Sequence, residues 1–386
     1  MKADGHMLNQ KDGNREAFLR GLLSPSCLPD SGRMSAVRQQ AKARWDSIAH
    51  PLGGLGKLEE MTAGLCGISG APEAVDLSGK ALVVFCGDHG VVSEGVSQSG
   101  QDVTRNSAQA IAEGRSTVGY MASCAGAEVY AVDVGISGSR FAQKELRTGA
   151  VIDRKIAGGT ANLLTGPAMT EEECLKALET GVEICGELAS RGISVLAAGE
   201  MGIGNTTSAG ALAALLLDLS AEEVVGRGAG LDNAGLKRKK AVVAGAISRV
   251  RGAVPRPDVL RIMAEAGGFE IAAMTGLFLG GVRYGVPVVA DGVVSLCAAL
   301  MSVRLEPRAA DILFVSHEPA EPGGQHLLRA LGSEPILKGG FHLGEGSGAV
   351  CLFPLLDMAM AVYRDAPSFA ERNLAAYRHF EEERAL

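Results

Sequence analysis

The sequence predicts an α/β fold with a doubly wound, mostly parallel sheet. Between residues 80 and 350, short β-prone apolar runs alternate with longer segments of helical spacing. The runs are continuously apolar, which is typical of parallel strands that helices cover on both faces. Aromatic residues make up only 4% of the chain, which favours close packing of Ala- and Gly-rich helices on the sheet. Both chain ends are expected to form a smaller helical domain.

Five apolar runs are the predicted strands, and a glycine-containing or polar loop follows each of them. The runs span residues 81–86, 128–134, 193–198, 286–290 and 311–315. Because the carboxyl ends of parallel strands lie at one edge of a sheet, these five loops are expected to converge on one crevice. Ligands bind at that edge in open α/β sheets.

Composition shifts divide the chain into four segments. Residues 1–32 are polar and mixed, and they form an N-terminal extension, either loosely ordered or a loosely docked helix. Residues 33–79 carry helical spacing around Trp45 and supply the N-terminal part of the small domain. Residues 80–350 form the large α/β domain. Residues 351–386 are predicted to contribute the C-terminal helices that complete the small domain.

Charge and cysteine usage narrow the function classes. A net charge of −7 and the scarcity of aromatic residues argue against a nucleic-acid or anionic-membrane surface, which leaves small molecules as partners. The eight cysteines are scattered without a C-x-x-C pair, as expected of reduced core thiols. Neither a secretory leader nor an apolar run of about 18 residues is found, so a cytoplasmic location is expected.

The segment 197–217 reads as a strand end, a glycine turn and an Ala/Leu helix. Gly202 and Gly204 permit close backbone approach, and the positive end of the following helix favours a phosphate beside Glu200. The turn matches neither the G-x-x-x-x-G-K-[ST] loop nor the dinucleotide fingerprint. Taken alone, it is equally consistent with a plain strand-to-helix connection.

Two further loops carry charged groups that suit chemistry on a phosphorylated substrate. Glu321 lies between two prolines in SHEPAEPGG, where a partly dry crevice would suit a general base, although a solvated acidic turn fits as well. The GRGAG turn at 226–230 precedes a basic helix start that includes Lys239. That pattern favours either phosphate binding or a solvated basic face.

The remaining polar loops have structural alternatives. Asp88 and His89 end the first strand and, with His317 and Glu321, could hold a divalent ion, but no third well-spaced ligand is evident. Hydrogen bonds that tie loops together explain Asp88 and His89 better than a metal site does. In the turn at 344–348, capping by Ser347 is the expectation for the helix that follows.

Taken together, these motifs resemble the nicotinate-nucleotide–dimethylbenzimidazole phosphoribosyltransferase family of cobalamin lower-ligand synthesis. The matching runs occur in the family order and cover residues from about 36 to 370. They are PLGGLGKLE at 51–59, GDHGVVSEGVS at 87–97, GTANLLTGPAMT at 159–170, GEMGIGNTT at 199–207, GRGAGLDNAGL at 226–236, GGFEIAAMTG at 267–276, ADGVVS at 290–295, SHEPAEPGG at 316–324 and LGEGSGA at 343–349.

The resemblance implies a Rossmann-like large domain, a homodimer, no cofactor and no metal. It implies transfer of the phosphoribosyl group of nicotinate mononucleotide to 5,6-dimethylbenzimidazole, giving α-ribazole 5′-phosphate and nicotinate. Glu321 matches the family's general base and Glu200 its second functional acid. The implied nucleotide-side residues are Gly202, Gly204, Asn205, Thr206, Gly228, Lys239 and Asp291, and those on the benzimidazole side are Asp88, His89, Ser97 and Ser316.

Three positions depart from the family pattern. Gly54 replaces a frequent Ser and Gly100 a usual Pro, both near the expected benzimidazole pocket, which leaves the accepted base open. His342 replaces a frequent Arg, with Lys338 as a substitute cation. Two other function classes remain at this point: a metal-dependent phosphohydrolase using Asp88, His89 and His317, and a non-catalytic nucleotide sensor.

Overall fold

The computed structural model describes residues 17–254 and 256–379. The first half of the predicted N-terminal extension and the last seven residues of the predicted C-terminal segment lie outside this range. The described part of the extension is helical over residues 17–23 and docks on the large domain. The Cys27 N–H donates to the Arg283 carbonyl oxygen at 2.7 Å, and Leu22 and Leu28 are buried.

Among the described residues, one parallel sheet of six strands forms the centre of the protein, which confirms the predicted fold class. Its strand order, β3-β2-β1-β4-β5-β6, is that of a Rossmann fold. The strands are β1 (Lys80–Gly87), β2 (Glu128–Gly135), β3 (Ile152–Asp153), β4 (Val195–Met201), β5 (Val288–Ala290) and β6 (Leu313–Val315).

Helices connect these strands and cover the sheet. They are α1 (Ser31–Ser47), α2 (Lys57–Ser69), α3 (Asp102–Ala112), α4 (Thr117–Cys124), α5 (Glu171–Ala189), α6 (Asn205–Leu217), α7 (Ala221–Val224), α8 (Asn233–Ala253), α9 (Val259–Ala266), α10 (Phe269–Tyr284), α11 (Val293–Leu305), α12 (Ala309–Ile312), α13 (Pro322–Ala330) and α14 (Ser347–Asp365), with 3₁₀ turns at Pro72–Ala74 and Gly90–Glu94.

All five predicted runs contain a strand, with three differences in detail. The two-residue strand β3 was not predicted, because two residues give no readable periodicity. β4 continues to Met201, so Glu200 lies in the strand rather than in a turn after it. Residues 311 and 312 belong to α12, which leaves β6 only three residues long.

Glycines allow the helix layer to pack closely, as the low aromatic content predicts. A Cβ atom at position 181 of α5 would lie 1.9 Å from the Ala273 carbonyl oxygen of α10. In the other direction, a Cβ atom at Gly276 would lie 2.0 Å from the Leu178 carbonyl oxygen. The two backbones are therefore in direct contact, and any side chain at either position would force the helices apart.

The two chain ends meet through backbone hydrogen bonds. The Phe369 N–H donates to the Ser47 carbonyl oxygen at 2.9 Å, and the Ala49 N–H donates to the Pro367 carbonyl oxygen at 3.0 Å. The predicted boundary after residue 350 falls inside α14, and residues 366–379 contain no helix. The division of the chain into domains stays a prediction.

By length and composition alone, α14 could cross a membrane, the one helix of the described residues that passes this test. More than half of it is buried inside the protein, as in the core helix of a soluble protein. Its buried positions include Leu352, Phe353 and Leu356, which belong to the main hydrophobic core.

The strand order reverses between β1 and β4, the first strand of each half of the sheet. At such a switch point the loops that follow the two strands diverge to opposite faces and leave a crevice between them. The loop after β1 and the turn after β4 therefore border the expected binding region.

Candidate functional site

A cavity of about 320 Å³ lies at the carboxyl edge of the sheet, bordered by loops that follow β1, β4, β5 and β6. It brings together most of the side chains and glycines that the sequence predicts for the site. Those in its lining are Ser97, Glu200, Gly202, Gly204, Asn205, Thr206, Gly228, Lys239, Asp291 and Glu321.

Glu200 projects from the end of β4 and is almost completely buried. Its carboxyl group accepts a hydrogen bond from the Asn205 side-chain amide. Burial raises the pKa of Glu200 to about 8, and the negative charges of Glu270, Asp291 and Glu345 add to this effect. Near neutral pH the group is therefore mostly protonated and can donate as well as accept a hydrogen bond.

The turn after Glu200 brings backbone close to backbone. A Cβ atom at Gly202 would lie 2.2 Å from the Gly87 carbonyl oxygen, so only glycine fits there. Gly204 has a φ of +98° and is the N-cap of α6. The N-terminus of α6, with its positive dipole end, therefore opens at the cavity, as expected of an anion site.

Lys239 supplies a cation beside this helix terminus. Its side chain is fully buried, and Nζ donates a hydrogen bond to Thr206 Oγ1 at 2.7 Å. Burial lowers the pKa of Lys239 to about 8, although the negative charge of Glu321 opposes this shift. A buried ammonium group with one hydroxyl partner has donors to spare for an anion.

Glu321 lies at the N-cap position of α13, where Pro322 begins the helix. It is half-buried, and its Oε1 accepts a hydrogen bond from the Gly228 N–H at 2.8 Å. A Cβ atom at Gly226 would lie 2.1 Å from Glu321 Oε2. The 226–230 loop therefore holds the Glu321 carboxylate in place from one side.

Asp291 lines the cavity, but its carboxylate is engaged by the start of α14. It accepts hydrogen bonds from the backbone N–H groups of Gly346, Gly348 and Ala349 at 3.1, 2.7 and 3.1 Å. Burial raises the pKa of Asp291 to about 6 despite these bonds. Asp291 thus supplies hydrogen-bond acceptors for the free backbone N–H groups at the start of α14. The expectation that Ser347 caps this helix is wrong, because Ser347 is the first helical residue.

The structure does not bring Asp88, His89 or Ser316 to the cavity, contrary to the expectation for the benzimidazole side. All three side chains are fully buried. Asp88 accepts the Ser137 N–H at 2.8 Å, and Ser316 Oγ donates to the Ala290 carbonyl oxygen at 2.7 Å. Both ring nitrogens of His89 also have protein partners.

Residues 17–254 and 256–379 do not provide the metal ligands that a metal-dependent phosphohydrolase needs. No group of three or more His, Cys, Asp or Glu side chains there is arranged to hold a metal ion. His317 lines the cavity while Asp88 and His89 do not, so the three proposed ligands do not share one site. Burial lowers the pKa of His317 to about 4, which leaves its ring neutral near pH 7.

Several cavity residues were not predicted as site residues. Glu345 lines the cavity, and it is one of few non-glycine residues with a left-handed backbone, at φ 61°. Its Oε2 is buried without a hydrogen-bond partner. The motif LGEGSGA that contains it contributes to the family resemblance, but Glu345 was not predicted to be a site residue. Phe341 also lines the cavity, with its ring centroid 5.1 Å from that of His317.

The three positions that depart from the family pattern differ in location. His342 lines the cavity, and Gly100 adjoins the lining residue Ser99. Gly54 is not part of the lining. Lys338 Nζ lies 3.4 Å from Glu318 Oε2 in a partly exposed ion pair outside the lining, so it does not take the place of the expected arginine at the cavity.

Comparison with known proteins assigns the chain to a family. A phosphoribosyltransferase family matches residues 32–374. The chain belongs to this family. A nicotinate-nucleotide–dimethylbenzimidazole phosphoribosyltransferase from Ruminiclostridium cellulolyticum is 39% identical over 344 residues, which cover 89% of this chain and 95% of the relative. A relative of the same name from Thermus thermophilus is 42% identical over 335 residues, covering 86% and 97% of the two chains.

A solved structure agrees with the same assignment. The crystal structure of CobT from Thermus thermophilus superposes with a TM-score of 0.83 at 40% identity, and the match covers 89% of this chain and all of that one. The Rossmann-like fold and the family that the motifs imply are therefore confirmed.

Proposed function

We infer that this chain transfers the phosphoribosyl group of nicotinate mononucleotide to 5,6-dimethylbenzimidazole. The products are α-ribazole 5′-phosphate and nicotinate, as required for the assembly of the nucleotide loop of cobalamin. The observation that carries this inference is one cavity with an anion site on one side and the Glu321 carboxylate on the other.

On the nucleotide side, we place the phosphate at the N-terminus of α6. The Lys239 ammonium group and the positive end of the helix attract it, and the Gly202 and Gly228 positions keep the backbone accessible. Thr206 already orients Lys239. In this arrangement Glu200 faces the ribose or the nicotinate ring, where its protonated carboxyl group donates a hydrogen bond.

The reaction needs little help at the leaving group. Nicotinate in the mononucleotide is a pyridinium, so cleavage of its glycosidic bond returns the bonding electrons to nitrogen and releases an uncharged ring nitrogen. One nitrogen of the benzimidazole attacks C1′ from the α face and forms the new bond. The other nitrogen becomes acidic as positive charge develops, and Glu321 accepts its proton. Alignment of the two substrates in one cavity supplies further acceleration.

The remaining cavity wall suits a flat, mostly apolar acceptor. Val96, Val103, Leu231, Phe341 and Leu343 contribute apolar surface, with Ser97 as a polar neighbour. Such a wall recognises an aromatic base by burial and stacking more than by hydrogen bonding. The homodimer and the cytoplasmic location remain predictions, and sedimentation of the purified protein tests the first of them.

A direct assay tests the proposed activity. Purified protein is mixed with nicotinate mononucleotide and, in separate reactions, 5,6-dimethylbenzimidazole, unsubstituted benzimidazole, phenol or adenine, and the products are separated by mass. We expect nicotinate release that depends on an added benzimidazole. Binding of the mononucleotide without transfer to any acceptor would instead support a non-catalytic sensor. Release of phosphate from the mononucleotide that stops on chelation of metal ions would instead support a metal-dependent phosphohydrolase.

A further inference from the structure

Three buried polar side chains lie together beneath the glycine turn of the cavity without lining it. His89 follows β1, Ser208 belongs to the first turns of α6, and Glu270 belongs to the first turn of α10. Each has a solvent exposure of 0%. Burying polar groups of this kind costs free energy unless they form hydrogen bonds, so the partners of each group determine that cost.

His89 joins these three elements through its imidazole ring. Nε2 lies 2.7 Å from Glu270 Oε1, and Nδ1 lies 2.9 Å from Ser208 Oγ. Because both nitrogens have a partner, the ring is fixed in position and in orientation. Glu270 Oε2 has no hydrogen-bond partner, so His89 is the partner that the Glu270 carboxylate has in the described structure.

The glycine turn lies against the His89 side chain. A Cβ atom at Gly204 would lie 3.0 Å from His89 Cβ, and one at Gly202 would lie 3.6 Å from Cδ2 of the ring. On the opposite side, a Cβ atom at Gly268 would lie 2.4 Å from His89 Cε1. The ring thus fills the space between the turn and the start of α10, and a displaced ring would move the turn.

We propose that His89, held by Glu270 and Ser208, is a positioning residue that fixes the 202–204 turn and the N-terminus of α6 for the nucleotide phosphate. This rests on the proposed function. The ring acts on the nucleotide half of the cavity only, because Glu321 is held separately, by Gly228 and by its place at the start of α13. Its loss should therefore weaken binding of the mononucleotide and spare the acceptor.

Two variants and a matched control test this assignment. Ser208→Ala removes the partner of Nδ1, and Glu270→Gln removes the charge beside Nε2 while keeping the shape. The control is Glu265→Gln on α9, an equally buried carboxylate that pairs with Arg249 and Arg261 away from the cavity. For each protein, calorimetry gives the Kd of nicotinate mononucleotide, thermal unfolding gives the melting temperature, and steady-state assays give the KM for dimethylbenzimidazole.

We expect the mononucleotide Kd to rise about tenfold in both variants, because Ser208→Ala removes one buried hydrogen-bond partner of His89 and Glu270→Gln weakens a charge-assisted one. The KM for dimethylbenzimidazole should stay within about twofold of the wild type. Glu265→Gln should lower the melting temperature and leave the Kd unchanged. A Kd that changes less than about threefold, or a KM for the acceptor that rises in parallel with the Kd, would show that the cluster only supports the fold. Wild-type protein that binds mononucleotide without transfer counts against the proposed function alone, and wild-type protein that does not bind it overturns both.

Discussion

Replacing Glu200 with glutamine tests whether this carboxyl group is protonated in the folded protein. Its pKa is about 8 in the folded state against an ordinary 4.5, mainly because of burial. A difference of roughly 3.5 pH units corresponds to a free energy on the order of 5 kcal/mol for forcing the buried group to ionise. Since the pKa is raised in the folded state, the contribution of the neutral Glu200 carboxyl group to the free energy of unfolding is fully present below about pH 4.5. This contribution is lost progressively as pH rises to about 8.

Glutamine resembles the protonated acid and does not ionise, so it removes this pH-dependent loss. We expect the difference in the free energy of unfolding, Glu200→Gln minus wild type, to increase by several kcal/mol between about pH 5.5 and 8.5. Denaturant titration at each pH measures this difference. Glu172→Gln, at an exposed position on α5, is the control and should show a constant difference. The difference in unfolding free energy between variant and wild type depends on Glu200. The pH dependence of the transfer rate would also depend on Lys239, whose pKa is about 8 as well. A difference for Glu200→Gln that stays flat with pH would refute the reasoning.

Four further outcomes follow from the site geometry. Glu321→Gln should lower kcat at least about a hundredfold with little change in the KM for mononucleotide, and undiminished turnover would contradict its role as the base. Gly226→Ala, whose Cβ would lie 2.1 Å from Glu321 Oε2, should also lower kcat, by steady-state assay, although Glu321 is intact. Lys239→Met should raise the calorimetric Kd of mononucleotide about 10- to 100-fold without lowering the melting temperature, because a buried cation is removed. Glu345→Gly should raise the free energy of unfolding by about 1 kcal/mol in denaturant titration, since glycine adopts a φ of 61° without strain.

The fold was predictable because its signals are local. Continuous apolar runs such as 81–86 can only be strands covered on both faces or buried helix, and the glycine or polar loop after each one favoured strands. The end of β4 was not predictable in this way. Gly199 interrupts the apolar run, yet the strand continues through it, because residues 199–201 remain paired with residues 84–86 of β1. The missing side chain at Gly199 makes room for the Glu345 carbonyl oxygen, which lies 2.6 Å from where a Cβ atom would be.

The site was predictable in composition and only partly in geometry. Charged residues at strand ends identified Glu200 and Glu321, and the GRGAG turn before a basic helix start identified Lys239; all three line one cavity. Position at a strand end does not tell which way a side chain points, however, since successive side chains alternate in direction. Ser316 and His317 illustrate this: Ser316 is fully buried, whereas its neighbour lines the cavity.

The 226–230 loop borders both halves of the cavity. Gly226 makes room for Glu321 Oε2, and the Gly228 N–H binds Oε1. A Cβ atom at Gly228 would lie 3.2 Å from Lys239 Nζ and 2.7 Å from Thr206 Oγ1, so the same loop borders the anion site. We therefore expect a change that moves this loop to displace both the Glu321 carboxylate and the proposed phosphate site, because one short stretch of backbone lies next to Glu321, Thr206 and Lys239.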